Sequence, residues 1–136
     1  MQPISTEIVE KTFKEMSLFG PEEIKMLVNK MGEEQPYVLT YLLATGDREF
    51  DESEKELFIY LGIGICQMMS TEYAPLPQIS PVLLDEIEED NLELLDSLEG
   101  LDEEEFIASI EKVLENYCQY VILFYVLDTL IEGETE

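Results

Sequence analysis

The sequence of 136 residues contains no histidine, and this absence removes much familiar catalytic and metal-binding chemistry. Serine and cysteine nucleophiles that rely on an imidazole base are excluded, and so are metal sites built from histidine. The two cysteines are too few for a structural zinc site. No phosphate loop is present, because Gly62 and Gly64 fall inside an apolar run. We therefore expect a protein that is not an enzyme and holds no cofactor or metal, with chemistry by carboxylates alone left open.

Basic residues are also scarce, since 7 lysines and arginines face 32 acidic residues and the formal net charge is −25. Between Lys55 and Lys112 the chain has no basic residue, although 15 of its acidic residues lie there. Proteins need lysines and arginines to displace counterions from nucleic-acid phosphates or to adsorb to anionic membranes. We therefore expect neither nucleic acid nor membrane as a partner. Repulsion between the acids should destabilise the folded state, least at high ionic strength.

Long hydrophobic runs are missing as well. The two most apolar segments, 57–69 and 117–127, fall short of the roughly 18–20 residues that a membrane-spanning helix needs. The first residues, MQPISTEIVEKTF, lack the basic and apolar parts of a secretory signal, so we expect a cytoplasmic protein. Cys66 and Cys118 lie in the two apolar segments, and we interpret them as buried thiols in a reducing compartment. A disulfide between them is the alternative.

The apolar residues that are present follow helical spacing, and no segment alternates as a strand would. The sequence predicts an all-α fold, a single-domain bundle of about five to six helices over residues 1–136. A proline-containing loop at 72–80 is expected to separate an N-terminal from a C-terminal group of helices. Residues 132–136 are expected to form a frayed acidic tail.

Capping residues and glycines indicate where these helices begin and end. Asp51 with Glu54 three residues later resembles a capping box, and Asp102 with Glu105 repeats the pattern. Glycine commonly follows the last residue of a helix. Gly20 with Pro21 is therefore expected to end the first helix, and Gly32, Gly46 and Gly100 are expected to end later ones.

Two of the expected helices, at about 51–71 and 103–131, are apolar nearly all the way round, which is typical of helices with neighbours on every side. We expect them to form the centre of the bundle. Gly62 and Gly64 should allow a partner helix to approach closely. Any apolar surface that the other helices leave uncovered could form a homodimer interface, and monomer and homodimer are equal alternatives.

The stretch from Asp85 to Glu105 holds 12 of the 32 acidic residues together with leucines at helical spacing. This combination favours a folded acidic surface rather than a loose tail. Some of the apolar residues follow a heptad-like spacing around Asn91, which could fix the register between two helices. The alternative is an ordinary amphipathic helix with Asn91 at the edge of its apolar stripe.

Two functions fit these patterns. The first is a small acidic, non-catalytic protein-interaction module that binds a basic protein. Its contact residues would be Glu88, Glu89, Asp90, Glu93 and Asp96. The alternative is a helical bundle that binds a small apolar molecule between its central helices. That pocket would be lined by Tyr60, Met68, Met69, Tyr117 and Tyr125. An acidic face that is merely solvated is the third interpretation.

Overall fold

A computed structural model describes the backbone of residues 2–135 and the side chains of residues 2–130. The described chain is α-helical and contains no strand, so the all-α prediction is confirmed. Its seven helices are α1 (Thr6–Ser17), α2 (Pro21–Glu34), α3 (Pro36–Glu49), α4 (Glu52–Glu72), α5 (Pro81–Leu98), α6 (Glu103–Asn116) and α7 (Tyr120–Thr135). The expected frayed tail, 132–136, lies outside the residues whose side chains are described.

The number of helices is close to the predicted five to six, and the difference arises at one position. The prediction of a single helix over 103–131 is wrong, because α6 ends at Asn116 and α7 begins at Tyr120. The side-chain amide of Asn116 donates to the carbonyl oxygen of Lys112 at 2.9 Å. Asparagine favours helix ends because its side chain competes for backbone groups in this way. Tyr117 then takes an extended conformation, with φ −87° and ψ 121°, and the helix stops.

The capping predictions are confirmed. The backbone N–H of Glu54 donates to Oδ1 of Asp51 at 2.9 Å, and the N–H of Asp51 donates to Oε1 of Glu54 at 3.0 Å. Asp102 accepts from the N–H of Glu105 at 2.8 Å. Gly100, which follows α5, has a φ of 79°, a conformation that glycine adopts without steric penalty.

The predictions that Gly32 and Gly46 end helices are wrong, because α2 and α3 each continue past these glycines. α2 stops instead before Pro36, whose ring disfavours the helical conformation in the preceding residue. That residue, Gln35, has φ −135° and ψ 64°. Gly46 serves packing, since a Cβ atom there would lie 3.0 Å from Cγ of Lys55 in α4.

The chain divides into two compact units, residues 4–79 and residues 80–136 together with the first three residues. We describe each unit by itself, and the single domain stays a prediction. In the N-terminal unit, α4 packs against α1, α2 and α3, and α2 also packs against α3. The buried apolar side chains of these helices are Val9, Phe13, Met16, Met31, Leu61, Ile63 and Met68. α4 therefore contacts all three other helices of this unit.

Gly62 and Gly64 do lie against neighbouring helices, but the groups that approach them are side chains and not the backbone that we expected. A Cβ atom at Gly62 would lie 2.6 Å from Cδ1 of Leu42 in α3. A Cβ atom at Gly64 would overlap the ring of Phe13 in α1. The two glycines thus allow side chains of α3 and α1 to pack directly against α4.

One polar side chain, that of Gln35, is buried among the described residues and is only 4% exposed. Its Nε2 donates to the carbonyl oxygen of Pro77 at 2.8 Å, and its Oε1 accepts from the N–H of Ile79 at 2.9 Å. Both polar ends of the amide are thereby satisfied, as burial requires. Gln35 therefore ties the segment after α4 to the junction of α2 and α3.

The C-terminal unit consists mainly of α5, α6 and α7. Ser80 caps α5, accepting from the N–H of Leu83 at 3.2 Å. α6 packs against α7. Neither α5 nor α6 has a buried residue, whereas Ile122 of α7 is buried. Helices α5 and α6 therefore expose an unusually large share of their side chains.

Candidate interaction surface

The five acidic residues expected to bind a partner all lie on α5. Glu89, Glu93 and Asp96 follow the i, i+4, i+7 spacing that places side chains on one face of a helix. Asp90 is exposed like these three, whereas Glu88 is half-buried. We call these five side chains the α5 acidic patch: Glu88, Glu89, Asp90, Glu93 and Asp96.

Apolar side chains of α5 are exposed beside this patch. Leu83, Ile87 and Leu94 share one stripe of the helix and are 43%, 45% and 37% exposed. Asn91 is exposed, and its role in fixing the register between helices stays a prediction. Exposed apolar side chains next to charged ones are a common feature of protein-binding surfaces. α5 therefore presents both charge and apolar surface to solvent.

The charge on α5 is not neutralised by ion pairs with the rest of the described chain. The ion pairs among the described residues join Lys11 to Glu15, Arg48 to Glu49 and Lys55 to Asp47. All of these residues precede residue 56, and none of the pairs lies between Lys55 and Lys112, where the chain has no basic residue. No ion pair among the described residues therefore neutralises the α5 acidic patch.

The N-terminus of α6 adds negative charge that is locally stabilised. Hydrogen bonds from the backbone and side chain of Glu105 lower the pKa of the Asp102 carboxyl, with a smaller contribution from the backbone of Glu104. A carboxylate at the beginning of a helix is also favoured by the helix dipole. Asp102 is thus held as an anion by its capping role, and its charge needs no partner to explain it.

Three residues of the expected apolar pocket lie on α4 in the N-terminal unit. Tyr60 is half-buried, and its hydroxyl donates to the carbonyl oxygen of Phe13 at 3.4 Å, with the two rings 5.8 Å apart. Met68 is buried and Met69 is half-buried. Met68 borders a cavity of about 260 Å³ between α4, α1 and α2, together with Met16 and Leu27. The other two residues of the expected pocket do not belong to this unit.

Those two residues, Tyr117 and Tyr125, lie in the C-terminal unit. Tyr117 is exposed in the break between α6 and α7, and Tyr125 is half-buried on α7. Met68 is thus the predicted pocket residue that lines this cavity, and the other lining residues were not predicted from the sequence. The five-residue pocket stays a prediction.

The sequence did not predict a groove between α6 and α7. It has a volume of about 420 Å³ and is lined by Glu111, Leu114, Glu115, Tyr120 and Phe124. It depends on the break at 117–119, which we did not expect. The i, i+4 pairs Glu111 with Glu115 and Tyr120 with Phe124 were the signal that could have indicated two lining faces.

Cys66 lies half-buried on α4, whereas Cys118 is exposed between α6 and α7. Burial raises the pKa of the Cys66 thiol to about 11, and the negative charge of Glu34 adds to the effect. A thiol with a raised pKa is a poor nucleophile, because the thiolate is the reactive form. Cys66 is therefore suited to packing and not to nucleophilic catalysis.

Within the described residues, no three acidic or cysteine side chains are grouped so that they could hold a metal ion. Nor is any helix of that part of the chain long and apolar enough to cross a membrane. Comparison of the chain with models of protein families, with curated proteins and with solved structures finds no match.

Proposed function

We propose that this protein is a non-catalytic, cytoplasmic interaction module that binds a basic protein through the α5 acidic patch. One observation carries the proposal. α5 has no buried residue, and it exposes acidic and apolar side chains together on a chain segment that has no basic residue. A helix whose only role is to pack in a core would bury its apolar stripe.

The charge explains how such a partner would be selected. A dense acidic surface speeds the approach of a basic protein and repels acidic proteins, nucleic acids and anionic membranes. Charge alone gives little affinity at physiological salt, because solvent ions screen exposed pairs. The stripe of Leu83, Ile87 and Leu94 supplies apolar surface that a bound partner would remove from water.

The test is a pull-down with the full chain immobilised. We expect recovery of basic proteins at about 50 mM salt and a sharp loss by about 200 mM, as screening of an exposed charged interface requires. Neutralising the α5 acidic patch should abolish the recovery. The α5-neutral variant carries E88Q, E89Q, D90N, E93Q and D96N.

A matched control removes the same number of charges from the N-terminal unit at exposed positions. This N-terminal control carries E7Q, E10Q, E22Q, E33Q and E56Q. It should recover the same proteins as the unmodified chain. If both variants lose recovery equally, total charge and not α5 determines binding, and the proposal is wrong.

A second candidate function is the binding of a small apolar molecule between helices that we expect to be central. The observation in its favour is the cavity of about 260 Å³ beside Met68, which lies between α4, α1 and α2 and so involves one of the two helices expected to be central. An environment-sensitive apolar dye should bind the chain, and Met68→Gln, which places an amide in the cavity wall, should weaken it. If the dye binds the variant equally well, the cavity is not its site.

The exposed apolar side chains also leave the homodimer open as a proposal. A second copy would bring its own acidic residues to the same surface, so dimers should form better at high salt. Light scattering at about 50 and 500 mM salt measures this directly. A monomer at both salt concentrations would remove the dimer.

A further inference from the structure

The groove between α6 and α7 is lined by carboxylates from one helix and by aromatic rings from the other. α6 contributes Glu111 and Glu115, with Leu114 between them, and α7 contributes Tyr120 and Phe124. Tyr120 and Phe124 are 45% and 49% exposed, so nearly half of the surface of each residue faces solvent. An aromatic ring left this exposed next to a cavity gains apolar contacts when a ligand fills it.

The spacing of these residues matches the repeat of an α-helix. Glu111 and Glu115 are one turn apart on α6, and Tyr120 and Phe124 are one turn apart on α7, so each pair spans about 6 Å along its helix. A helix lying along such a groove presents its own side chains at i, i+3 and i+4. One apolar turn of a ligand helix can therefore face the two rings while its polar neighbours face the two carboxylates.

The two carboxylates that line the groove, Glu111 and Glu115, determine which ligands with an apolar side can bind there. Glu111 and Glu115 are both exposed, and neither forms an ion pair among the described residues. Lysine or arginine side chains beside them would add ionic contacts, and over the rings of Tyr120 and Phe124 they would add cation–π attraction. A second copy of this chain, with net charge −25, would bring acidic residues to the same rim.

We infer that this groove binds a basic amphipathic α-helix of a partner protein. The inference rests on the proposed function, and it specifies the partner's chemistry at a site separate from the α5 acidic patch. Leu114 and Phe124 contact the apolar side of the partner helix, and Glu111 and Glu115 contact its lysines or arginines.

The experiment measures binding of two fluorescent 18-residue peptides of leucine and lysine to the full chain. One peptide is patterned as an amphipathic helix, and the other has the same composition in an order that spreads leucine round the helix. Both carry the same charge, so attraction by net charge is equal for the two. We expect the patterned peptide to bind at least about tenfold more tightly, which corresponds to roughly 1.4 kcal/mol.

Two variants of the groove separate its apolar and charged parts. Y120A/F124A should remove the preference for the patterned peptide and leave binding of the scrambled peptide unchanged. E111Q/E115Q should weaken the patterned peptide and reduce the salt dependence of its binding. L18A/M26A, which truncates two exposed apolar side chains of the N-terminal unit, should change neither.

The outcomes distinguish this inference from the proposed function. If Y120A/F124A keeps the full preference while the α5-neutral variant loses binding, the groove inference is overturned and the proposed function stands. If neither peptide binds at about 50 mM salt, both are overturned. If Y120A/F124A instead dissociates a dimer, or loses an apolar dye without affecting the peptides, the groove belongs to another ligand and the inference is overturned.

Discussion

Gly64 of α4 lies directly against the ring of Phe13 in α1, and a Cβ atom at Gly64 would overlap Cε1 and Cζ of that ring. Phe13 is buried, so its ring has little room to move. The ring also lies 5.8 Å from that of Tyr60, one turn before Gly64. The contact of α1 with α4 therefore depends on the absence of a side chain at residue 64.

We expect Gly64→Ala to destabilise the protein by about 2 kcal/mol, because overpacking a filled core outweighs the higher helix propensity of alanine. Urea unfolding of the full chain measures the change. Gly62→Ala is the matched control, since the nearest atoms belong to the half-buried, flexible side chain of Leu42. It should be tolerated better. Equal stabilities of the two variants would show that Phe13 moves aside.

Gln35 gives a second prediction, because one side chain satisfies two backbone groups of the segment after α4. Gln35→Ala leaves the carbonyl oxygen of Pro77 and the N–H of Ile79 without this partner. A buried group that loses its hydrogen bond costs about 1–3 kcal/mol, and Pro77 is exposed while Ile79 is half-buried, so we expect a loss of roughly 1–2 kcal/mol.

Hydrogen exchange locates this effect. The amide of Ile79 should exchange at least about tenfold faster in Gln35→Ala, whereas amides in the middle of α5 should change little. Gln78→Ala, which truncates an exposed side chain in the same segment, serves as the control and should leave the Ile79 amide unchanged. Unchanged exchange in Gln35→Ala would mean that the segment is held by other contacts.

The thiol of Cys66 predicts a pH dependence that can be measured by alkylation. Its pKa is raised from 9.0 to about 11, so the thiolate fraction at pH 8 is about 100-fold lower than that of an ordinary cysteine. In a Cys118→Ala chain, iodoacetamide should react with Cys66 at a rate that still rises about tenfold per pH unit between pH 8 and 10. Urea-unfolded chain is the control, and its rate should level off above about pH 9. A native rate that levels off there would contradict the raised pKa.

The sequence predicted part of what depends on neighbouring residues, although the rule that glycine ends a helix failed at Gly32 and Gly46. The capping box of Asp51 and Glu54 and the glycine after α5 each involve residues within one turn, so the pattern alone identifies them. The break at Asn116 was missed because no proline or glycine marks it. Its cause is a side-chain hydrogen bond to Lys112, which competes with a helix that the apolar pattern favours.

Features formed by residues far apart in the chain could not be predicted from the sequence. Gln35 meets Pro77 and Ile79 only because α2, α3 and α4 fold together, and nothing near Gln35 in the chain signals burial. The groove at Tyr120 and Phe124 depends on the missed break, so its lining could not be assembled from a single long helix. The acids of α5 were identified because charge density is visible in composition, whereas the half-burial of Glu88 depends on packing.

Repulsion within α5 predicts that removing charge stabilises the protein. Like charges one turn apart, such as Glu89 with Glu93, each destabilise an isolated helix by roughly 0.2–0.5 kcal/mol. The α5-neutral variant should therefore melt at a higher temperature than the unmodified chain at about 20 mM salt, and the difference should shrink at about 500 mM because salt screens the charges. Circular dichroism measures both melting curves.

The N-terminal control tests whether this gain is local. Residues 1–55 contain 6 of the 7 basic residues and four of the five acids that the control changes, so the control also removes attractions, among them those around Lys11 and Lys30. We expect a smaller gain from the control than from the α5-neutral variant, although each removes the same number of charges. Equal gains would mean that net charge governs stability wherever it lies. A gain confined to the α5-neutral variant would mean that α5 carries unfavourable charge, as a surface kept for binding a basic partner is expected to do.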